Sequence, residues 1–254
     1  MGIINKYWVL LSIGILFITS LTATAAVNTQ TASEDLNPRR TVLMLSSYLK
    51  GDIITRVDTG GNKLVALTFD DGPDPRYTPQ VLAILKQYEV KATFFVVGES
   101  AKAHPGIIRD AVNGGHEIEN HTFTHPELNR GTLAKVTAEI VSTQEELEGM
   151  TGRYPHYFRP PKRLYNQAVI KAAHAHDLQV VLWTVGVENR NCPTPQQMAA
   201  RVLSKARPGA IILAHDGILN REKTVHALPA IITGYQELGY KFVTLSELIA
   251  ADEQ

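Results

Sequence analysis

The sequence predicts an α/β fold, a distorted (β/α)7 barrel in a single domain, on three observations. From about residue 41 to the end, short apolar runs alternate with amphipathic stretches, which is typical of strands separated by helices in a mainly parallel sheet. Only short connections join the seven apolar runs and the six helical stretches, which favours a closed or nearly closed barrel. An open doubly wound sheet is the alternative. Polar residues directly follow several runs, as expected at the carboxyl-terminal mouth of a barrel.

The predicted elements follow one another along the whole domain. The strand candidates are Val65–Phe69, Thr93–Val97, Glu117–Asn120, Tyr157–Arg159, Gln179–Val185, Ala210–Ala214 and Lys241–Thr244. Helical spacing covers roughly 78–88, 101–113, 132–149, 166–177, 196–206 and 223–238. Pro229 lies inside the last stretch and predicts that its regular helix begins only near that residue. Upstream, residues 52–57 and 63–67 flank a Thr-Gly-Gly sequence, which predicts a β-hairpin leading into the first parallel strand.

The first 26 residues differ in composition from the rest. Lys6 precedes the apolar run Tyr7–Thr19, and an Ala-Thr-Ala-Ala sequence over 23–26 completes the layout of a secretory signal peptide. The alternative is an uncleaved membrane anchor, because the uncharged stretch 7–27 is long enough to span a bilayer. Both interpretations predict an extracytoplasmic protein, secreted or membrane-anchored, with a polar linker over 27–51 and a domain over 52–254.

Composition excludes several classes of protein. Lys and Arg number 25 against 25 Asp and Glu, and no basic stripe is present, so the pattern of a nucleic-acid binder is missing. The single cysteine, Cys192, cannot form an intramolecular disulfide or a Cys-x-x-Cys metal site. A bound metal would therefore need His, Asp or Glu ligands. The sequence does not indicate an oligomeric state.

Four predicted strand ends carry residues typical of a mononuclear metal hydrolase. They are two adjacent carboxylates, two histidines spaced by four, an arginine and a further histidine: Asp70 and Asp71, His121 and His125, Arg159, and His215. Catalytic zinc takes three such ligands and keeps a position open for water, and the two spaced histidines with one aspartate supply that set. The other aspartate would remove a proton from the water, and His215 would protonate a leaving amine. Taken singly, the motifs also fit a solvated histidine pair, a turn and a hydrogen-bonded histidine at the rim.

Five motifs in register carry a family resemblance. They are Thr68-Phe69-Asp70-Asp71-Gly72-Pro73, His121-x-x-x-His125, Phe158-Arg159-Pro160-Pro161, Trp183 and Leu213-Ala214-His215-Asp216. In this order they resemble the polysaccharide deacetylase family, carbohydrate esterase family 4, also called the NodB homology domain. The resemblance covers roughly residues 52–250.

The resemblance implies an enzyme that removes N-acetyl groups from a cell-wall polysaccharide and releases acetate. Peptidoglycan N-acetylglucosamine is the favoured substrate, followed by chitin-type oligomers and acetylated xylan. The implied cofactor is one divalent metal, zinc first, with cobalt or nickel as alternatives.

The resemblance also implies a role for each matching residue. Asp70 matches the catalytic base, Arg159 the arginine that orients it, and His215 the general acid. Asp71, His121 and His125 match the metal triad. The backbone amide of Lys162 matches the oxyanion donor, and Trp183 and Leu213 match residues that line the acetyl pocket, although both equally fit plain core.

Two segments depart from the family pattern. Lys162-Arg163 stands where the family has Tyr-Gly, so the loop lacks a glycine. After Trp183, where the family has aspartates that tune the acid histidine, this chain offers Glu188 and Asn189 as substitutes. These departures leave two alternatives: a catalytically weakened, metal-containing glycan-binding module, and a hydrolase for a non-carbohydrate amide.

Overall fold

Every pairing between strands is parallel in the computed structural model, which describes residues 53–253. The strands are β1 (Ile53–Ile54), β2 (Leu64–Asp70), β3 (Thr93–Val96), β4 (Glu117–Asn120), β5 (Tyr157–Phe158), β6 (Gln179–Val181), β7 (Val185–Gly186), β8 (Ile211–His215) and β9 (Lys241–Val243). Their order across the sheet is β1-β6-β5-β4-β3-β2-β8-β7, and β9 pairs with the start of β2.

Helices connect most of these strands. They are α1 (Thr78–Gln87), α2 (Gly98–Ala103), α3 (Pro105–Asn113), α4 (Leu133–Thr151), α5 (Gln167–Ala175), α6 (Pro195–Leu203), α7 (Glu222–Glu237) and α8 (Leu245–Ala250). Side chains of Thr132, Asn166 and Thr194 accept backbone N–H bonds and so fix the starts of α4, α5 and α6. The predicted helix over 101–113 is divided, because Pro105 lacks an N–H and begins a new helix.

The two edges of the sheet meet through the short chain between β6 and β7. The N–H of Leu182 donates to the Ile54 carbonyl in the edge strand β1 (2.8 Å), and the N–H of Thr184 donates to the Ile211 carbonyl in β8, the neighbour of the other edge strand, β7 (2.8 Å). The predicted α/β class and distorted barrel are therefore confirmed, and the open doubly wound sheet does not form.

Two predictions about the strands are wrong in detail. The run predicted as one strand over Gln179–Val185 is divided into β6 and β7, because residues 182–184 cross between the sheet edges. The predicted hairpin does not form: β1 pairs in parallel with β6, and Arg56 bridges to Ala210. The Thr-Gly-Gly sequence does turn the chain, since the Asn62 N–H donates to the Thr59 carbonyl. That turn connects strands that are not neighbours in the sheet.

The prediction for Pro229 is also wrong, because α7 is continuous from Glu222 through that residue. A proline inside a helix removes one backbone hydrogen bond and costs about 3 kcal/mol. Val225, Leu228 and Ile232 are fully or almost fully buried on both sides of it, and their burial offsets that cost.

Alternation along β2 separates an outer core from the barrel interior. Val65, Leu67 and Phe69 pack in the large apolar cluster shared with the surrounding helices. Ala66 belongs instead to an inner cluster, so the alternating residues Thr68 and Asp70 lie on the interior face. The interior face therefore leads from packed apolar residues to a carboxylate at the carboxyl end of the strand.

Helix α8 closes the opposite end of the barrel. Leu245 and Leu248 join the inner cluster, and the Leu245 N–H donates to Thr93 Oγ1 and Glu117 Oε2. Thr93 and Glu117 are the first residues of β3 and β4, so α8 covers the amino ends of the strands. Only the carboxyl-terminal end is left to carry a site.

The predicted signal or anchor over 1–26, the linker over 27–51 and the boundary at residue 52 lie outside the described residues. Within 53–253, no helix combines the length and the hydropathy that crossing a membrane requires.

Candidate active site

The predicted catalytic residues converge at the carboxyl ends of neighbouring strands. Asp70 and His215 are the last residues of β2 and β8 and face each other in register. His121 directly follows β4, and Arg159 directly follows β5. This placement results from parallel strand order, which brings residues distant in sequence to one edge.

Arg159 is completely buried and holds Asp70. Its Nη1 donates to Asp70 Oδ1 at 2.6 Å and to Thr68 Oγ1 at 2.9 Å. Its Nε and Nη2 donate to the backbone carbonyls of Val181 and Leu182, and the guanidinium lies 3.9 Å from the centre of the Phe95 ring. Burial lowers the pKa of Arg159, and the charge of Asp70 opposes that shift. Since Oδ1 of Asp70 is occupied, Oδ2 is the oxygen available for proton transfer.

Asp71, His121 and His125 form a three-donor cluster. One ligand atom from each side chain lies within 4.8 Å of the other two. His125 Nε2 is 3.1 Å and His121 Nε2 is 3.5 Å from Asp71 Oδ1. Asp71 and His121 are buried and His125 is partly exposed, so the cluster opens toward solvent on the His125 side.

The donor set of this cluster fits a divalent cation such as zinc. His121 Nδ1 lies 2.6 Å from the Arg159 carbonyl oxygen, which can only accept, so Nδ1 carries the proton. A ring that ligates a cation through Nε2 is neutral, and its Nε2 lone pair would then face the cluster. Ligand atoms at about 2.0–2.1 Å from a tetrahedral zinc lie about 3.3–3.4 Å apart, which matches the two separations from Asp71 Oδ1.

Asp71 is ionised at neutral pH. Burial would raise its pKa, but hydrogen bonds with His121 and His125, followed by the positive charges that His121 and His215 carry when protonated, hold it well below its usual range. Arg221, which no motif in the sequence marks as a site residue, donates from Nη2 to Asp71 Oδ2 at 2.8 Å.

Glu188 pairs with His215. His215 Nδ1 is 3.0 Å from Glu188 Oε2, while the His215 N–H and the Thr224 hydroxyl donate to Glu188 Oε1 at 3.1 and 2.7 Å. Burial would lower the pKa of His215, but the hydrogen bond and charge of Glu188, with the charges of Asp70 and Asp71, raise it above its usual value. Burial would raise the pKa of Glu188, but its hydrogen bond with His215 and the charge of His215 lower it.

The other candidate for tuning the acid, Asn189, is engaged elsewhere, because its Oδ1 accepts the N–H of Asn191. Of the two substitutes in this loop, the structure brings Glu188 to His215.

Comparisons with known proteins identify the family of this chain. A family model described as polysaccharide deacetylase matches residues 58–181. A peptidoglycan-N-acetylglucosamine deacetylase of Bacillus cereus is 39% identical over 189 residues, covering 74% of this chain and 88% of that protein. A chitooligosaccharide deacetylase of a Bradyrhizobium species is 36% identical over 203 residues, covering 75% of this chain and 93% of that protein. The chain belongs to the polysaccharide deacetylase family.

Solved structures of the family are also similar. A crystal structure of a peptidoglycan N-acetylglucosamine deacetylase has a TM-score of 0.76 at 33% identity, covering 81% of this chain and 96% of that chain. A family pseudoenzyme from Bacillus anthracis has a TM-score of 0.71 at 31% identity, covering 78% of this chain and 68% of that chain. The fold is therefore shared by proteins described both as enzymes and as a pseudoenzyme.

The loop at Lys162-Arg163, where this polysaccharide deacetylase departs from its family pattern, has unusual backbone geometry. Lys162 and Arg163 have φ angles of 55° and 59°, in the left-handed region that favours glycine. The N–H groups of Arg163 and Leu164 donate to the carbonyls of Pro160 and Pro161 and tighten the turn. Lys162 also pairs with Glu127 at 3.2 Å, and the Arg163 guanidinium lies 5.7 Å from the centre of the Trp183 ring.

The two pocket candidates differ in exposure. Leu213 is 4% exposed and pairs in register with Thr68, which places it on the interior face of β8. Trp183 is half-buried against the inner cluster, and the Arg159 guanidinium lies 5.9 Å from its ring centre. Leu213 therefore lies next to Thr68 on the interior face, whereas Trp183 lies near the buried arginine at the more open position.

Sequence reasoning missed Arg221, Thr224, Thr68 and Asp216. Asp216 is buried, and its carboxylate accepts the Thr78 hydroxyl at 2.6 Å. Burial, with the charges of Asp71 and Asp70, raises its pKa to about 7, against the hydrogen bond of Thr78. Thr68 and Asp216 belong to motifs that were identified, whereas Arg221 and Thr224 lie at a helix start, where charged and hydroxyl residues are common.

Proposed function

We propose that the protein is a metal-dependent hydrolase that removes N-acetyl groups from a cell-wall polysaccharide and releases acetate. The observation that carries this proposal is the convergence of the Asp70–Arg159 pair, the three-donor cluster and the His215–Glu188 pair at one end of the barrel. Relatives named peptidoglycan-N-acetylglucosamine and chitooligosaccharide deacetylases support peptidoglycan as the first substrate and chitin-type oligomers as the second.

The proposed cofactor is zinc, with cobalt or nickel as alternatives, held by Asp71, His121 and His125. A bound divalent cation supplies a Lewis acid that polarises the acyl oxygen and makes water a better nucleophile at neutral pH. We also propose that the protein acts outside the cytoplasm, secreted or tethered through residues 7–27. That proposal is supported by the composition of the first 26 residues.

The side chains divide the proton transfers between them. Asp70 Oδ2, left open by Arg159, accepts a proton from the attacking water. His215, protonated and held at Nδ1 by Glu188, presents Nε2–H to the nitrogen of the leaving amine. Because Asp70 and His215 are neighbours in register, the two transfers occur on adjacent strands. The backbone N–H of Lys162 is the proposed donor to the oxyanion.

The decisive experiment measures acetate release from peptidoglycan and from chitooligosaccharides, after chelation and with zinc added back. The protein should release acetate only in the metal-loaded form. The variant Asp70→Asn should lose about 100- to 10,000-fold of that activity, since it lacks the general base. Asp110→Asn, on the exposed side of α3, is the matched control and should behave as the parent.

The alternative is a glycan-binding module with weak or no turnover, which the similar pseudoenzyme structure favours. A protein that holds zinc and binds these glycans but releases no acetate would contradict the enzyme and support the module. Acetate release that persists in Asp70→Asn would contradict the assignment of the base alone.

A further inference from the structure

Arg221 is a buried cation beside the three-donor cluster. It precedes α7, is 8% exposed, and makes two directed hydrogen bonds through different nitrogens. Nη2 donates to Asp71 Oδ2 at 2.8 Å, and Nε donates to the Gly217 carbonyl at 2.7 Å. A charge this deeply buried is unfavourable unless it is paired, and Asp71 is the partner.

The two oxygens of Asp71 have different partners. Oδ2 faces Arg221, whereas Oδ1 faces His125 at 3.1 Å and His121 at 3.5 Å. We infer that Arg221 is a positioning residue that fixes Asp71 as a ligand through Oδ1 alone and thereby increases the affinity of the cluster for its metal. This inference rests on the metal centre of the proposed function.

The backbone reinforces this arrangement. Asp71 has a φ of 77°, a conformation that costs a residue other than glycine about 1–2 kcal/mol, so its side chain is aimed by an imposed main-chain geometry. Gly217 packs directly on the Asp71 carbonyl, with which a Cβ at that position would overlap. Arg221 thus donates hydrogen bonds both to the Asp71 carboxylate and to the carbonyl of Gly217, which packs against the Asp71 backbone.

Lysine could not reproduce both contacts. The guanidinium is planar and presents Nε and Nη2 in fixed directions, whereas an ammonium group is a single point donor. A lysine at this position would retain a positive charge near Asp71 but would lose the bond to Gly217. Arg221→Lys therefore separates the contribution of charge from that of position.

The test measures the zinc affinity of the full chain by competition with a chromophoric chelator. Arg221→Met should weaken zinc binding about 10- to 100-fold, the usual cost of removing a residue that orients a ligand, and Arg221→Lys should fall between it and the parent. Arg153→Met, at an exposed position after α4, is the matched control and should bind zinc as the parent does. Circular dichroism and thermal unfolding of the metal-free proteins identify any variant that fails to fold.

A double-mutant cycle distinguishes positioning from general damage. In an Asp71→Ala background, Arg221→Met should cause no further loss of zinc affinity, because the ligand that Arg221 orients is already gone. Equal zinc affinity of the parent and a folded Arg221→Met would overturn the inference, as would losses that simply add in the cycle or a parent that binds no zinc. If Arg221→Met does not fold, Arg221→Lys decides, and parental affinity for that variant overturns the inference.

The inference and the proposed function can fail separately. Zinc binding that depends on Arg221 without acetate release supports the positioning role and contradicts the enzyme. If the protein releases acetate but Arg221→Met leaves its zinc affinity unchanged, the enzyme is supported and the positioning role of Arg221 is contradicted.

Discussion

At the scale of single residues, two adjacent carboxylates have different surroundings and can therefore have different roles. Asp70 has one oxygen on Arg159, and Asp71 has one oxygen on Arg221. Each aspartate retains one oxygen for chemistry, so two like charges are accommodated side by side at the end of one strand. The proposed separation of base from ligand thus rests on two arginines, one directly after β5 and one directly before α7.

The pairing of His215 with Glu188 makes the pH dependence of the reaction testable. Activity that needs protonated His215 falls as pH rises through the pKa of this residue, which Glu188 raises. Glu188→Gln removes the charge and should move the alkaline limb of the kcat/KM profile to lower pH. The measurement is acetate release across the range from about pH 5 to about pH 9, which brackets the ordinary titration of histidine.

Asn189→Ala provides the control, because the Asn189 side chain accepts the N–H of Asn191 in a local turn, whereas it is Glu188 that pairs with His215. An alkaline limb that stays in place in Glu188→Gln would show that another group sets it.

The sequence predicts those site residues that lie within family motifs and directly after apolar runs. Asp70, His121 and Arg159 follow from that position alone, because parallel strands bring such residues to one end of a barrel. Arg221 could not be predicted, since an arginine before a helix is usually solvated, and its burial depends on how Gly217 packs against Asp71. Glu188 was one of two candidates, and only the loop conformation distinguishes it from Asn189.

At the scale of elements, the loop after β5 adopts a glycine-type conformation without a glycine. Arg163 has a φ of 59°, which costs about 1–2 kcal/mol for a residue with a side chain, while its stacking near Trp183 opposes that cost. Arg163→Gly and Arg163→Ala both remove the stacking, so their difference isolates the backbone. Arg163→Gly should be the more stable of the two by about 1 kcal/mol in urea unfolding. An alanine variant of equal or greater stability would contradict the left-handed conformation of this loop.

Gly209, a second position with a left-handed backbone, joins the segment before β2 to the chain directly before β8. Gly209 has a φ of 73°, its N–H donates to the Leu64 carbonyl, and its carbonyl accepts the Val57 N–H. A Cβ at Gly209 would overlap the Val57 carbonyl oxygen. Gly209→Ala should therefore lower the free energy of unfolding by more than about 2 kcal/mol, combining backbone strain with steric overlap.

The chain offers a matched control of opposite sign. Gly149 lies in α4, and a Cβ there would meet nothing within 4 Å. Gly149→Ala should stabilise the protein by up to about 1 kcal/mol through helix propensity. Similar effects of the two substitutions in chemical denaturation would mean that the close approach at Gly209 is not real.

At the scale of the whole molecule, side chains of α8 fill the amino-terminal end of the barrel, and the candidate catalytic residues lie at the carboxyl-terminal end. Leu245 and Leu248 of α8 pack inside the amino-terminal end, and Glu119 within the wall accepts the N–H groups of His156 and Tyr157. The strands are short, and the hydrogen bonds between neighbouring strands join residues far apart in the sequence. The pairings that form the barrel also bring the site residues together, as the pairing of β2 with β8 does for Asp70 and His215. The predicted hairpin does not form, because local turn chemistry at residues 59–62 does not determine which strand becomes a neighbour.

Because the three metal donors come from the end of β2 and from the loop after β4, bound metal should stabilise the entire domain. A ligand that binds only the folded state at about 100 times its Kd adds about 2.7 kcal/mol. For a domain of about 200 residues this corresponds to a rise in Tm of roughly 5–10 °C, measured by thermal unfolding with and without zinc. His125→Ala should lose most of that rise, because it removes one of the three donors of the cluster. His174→Ala, at an exposed position on α5, should keep it. An equal rise in His125→Ala and the parent would place the stabilising zinc elsewhere and contradict the assigned ligands.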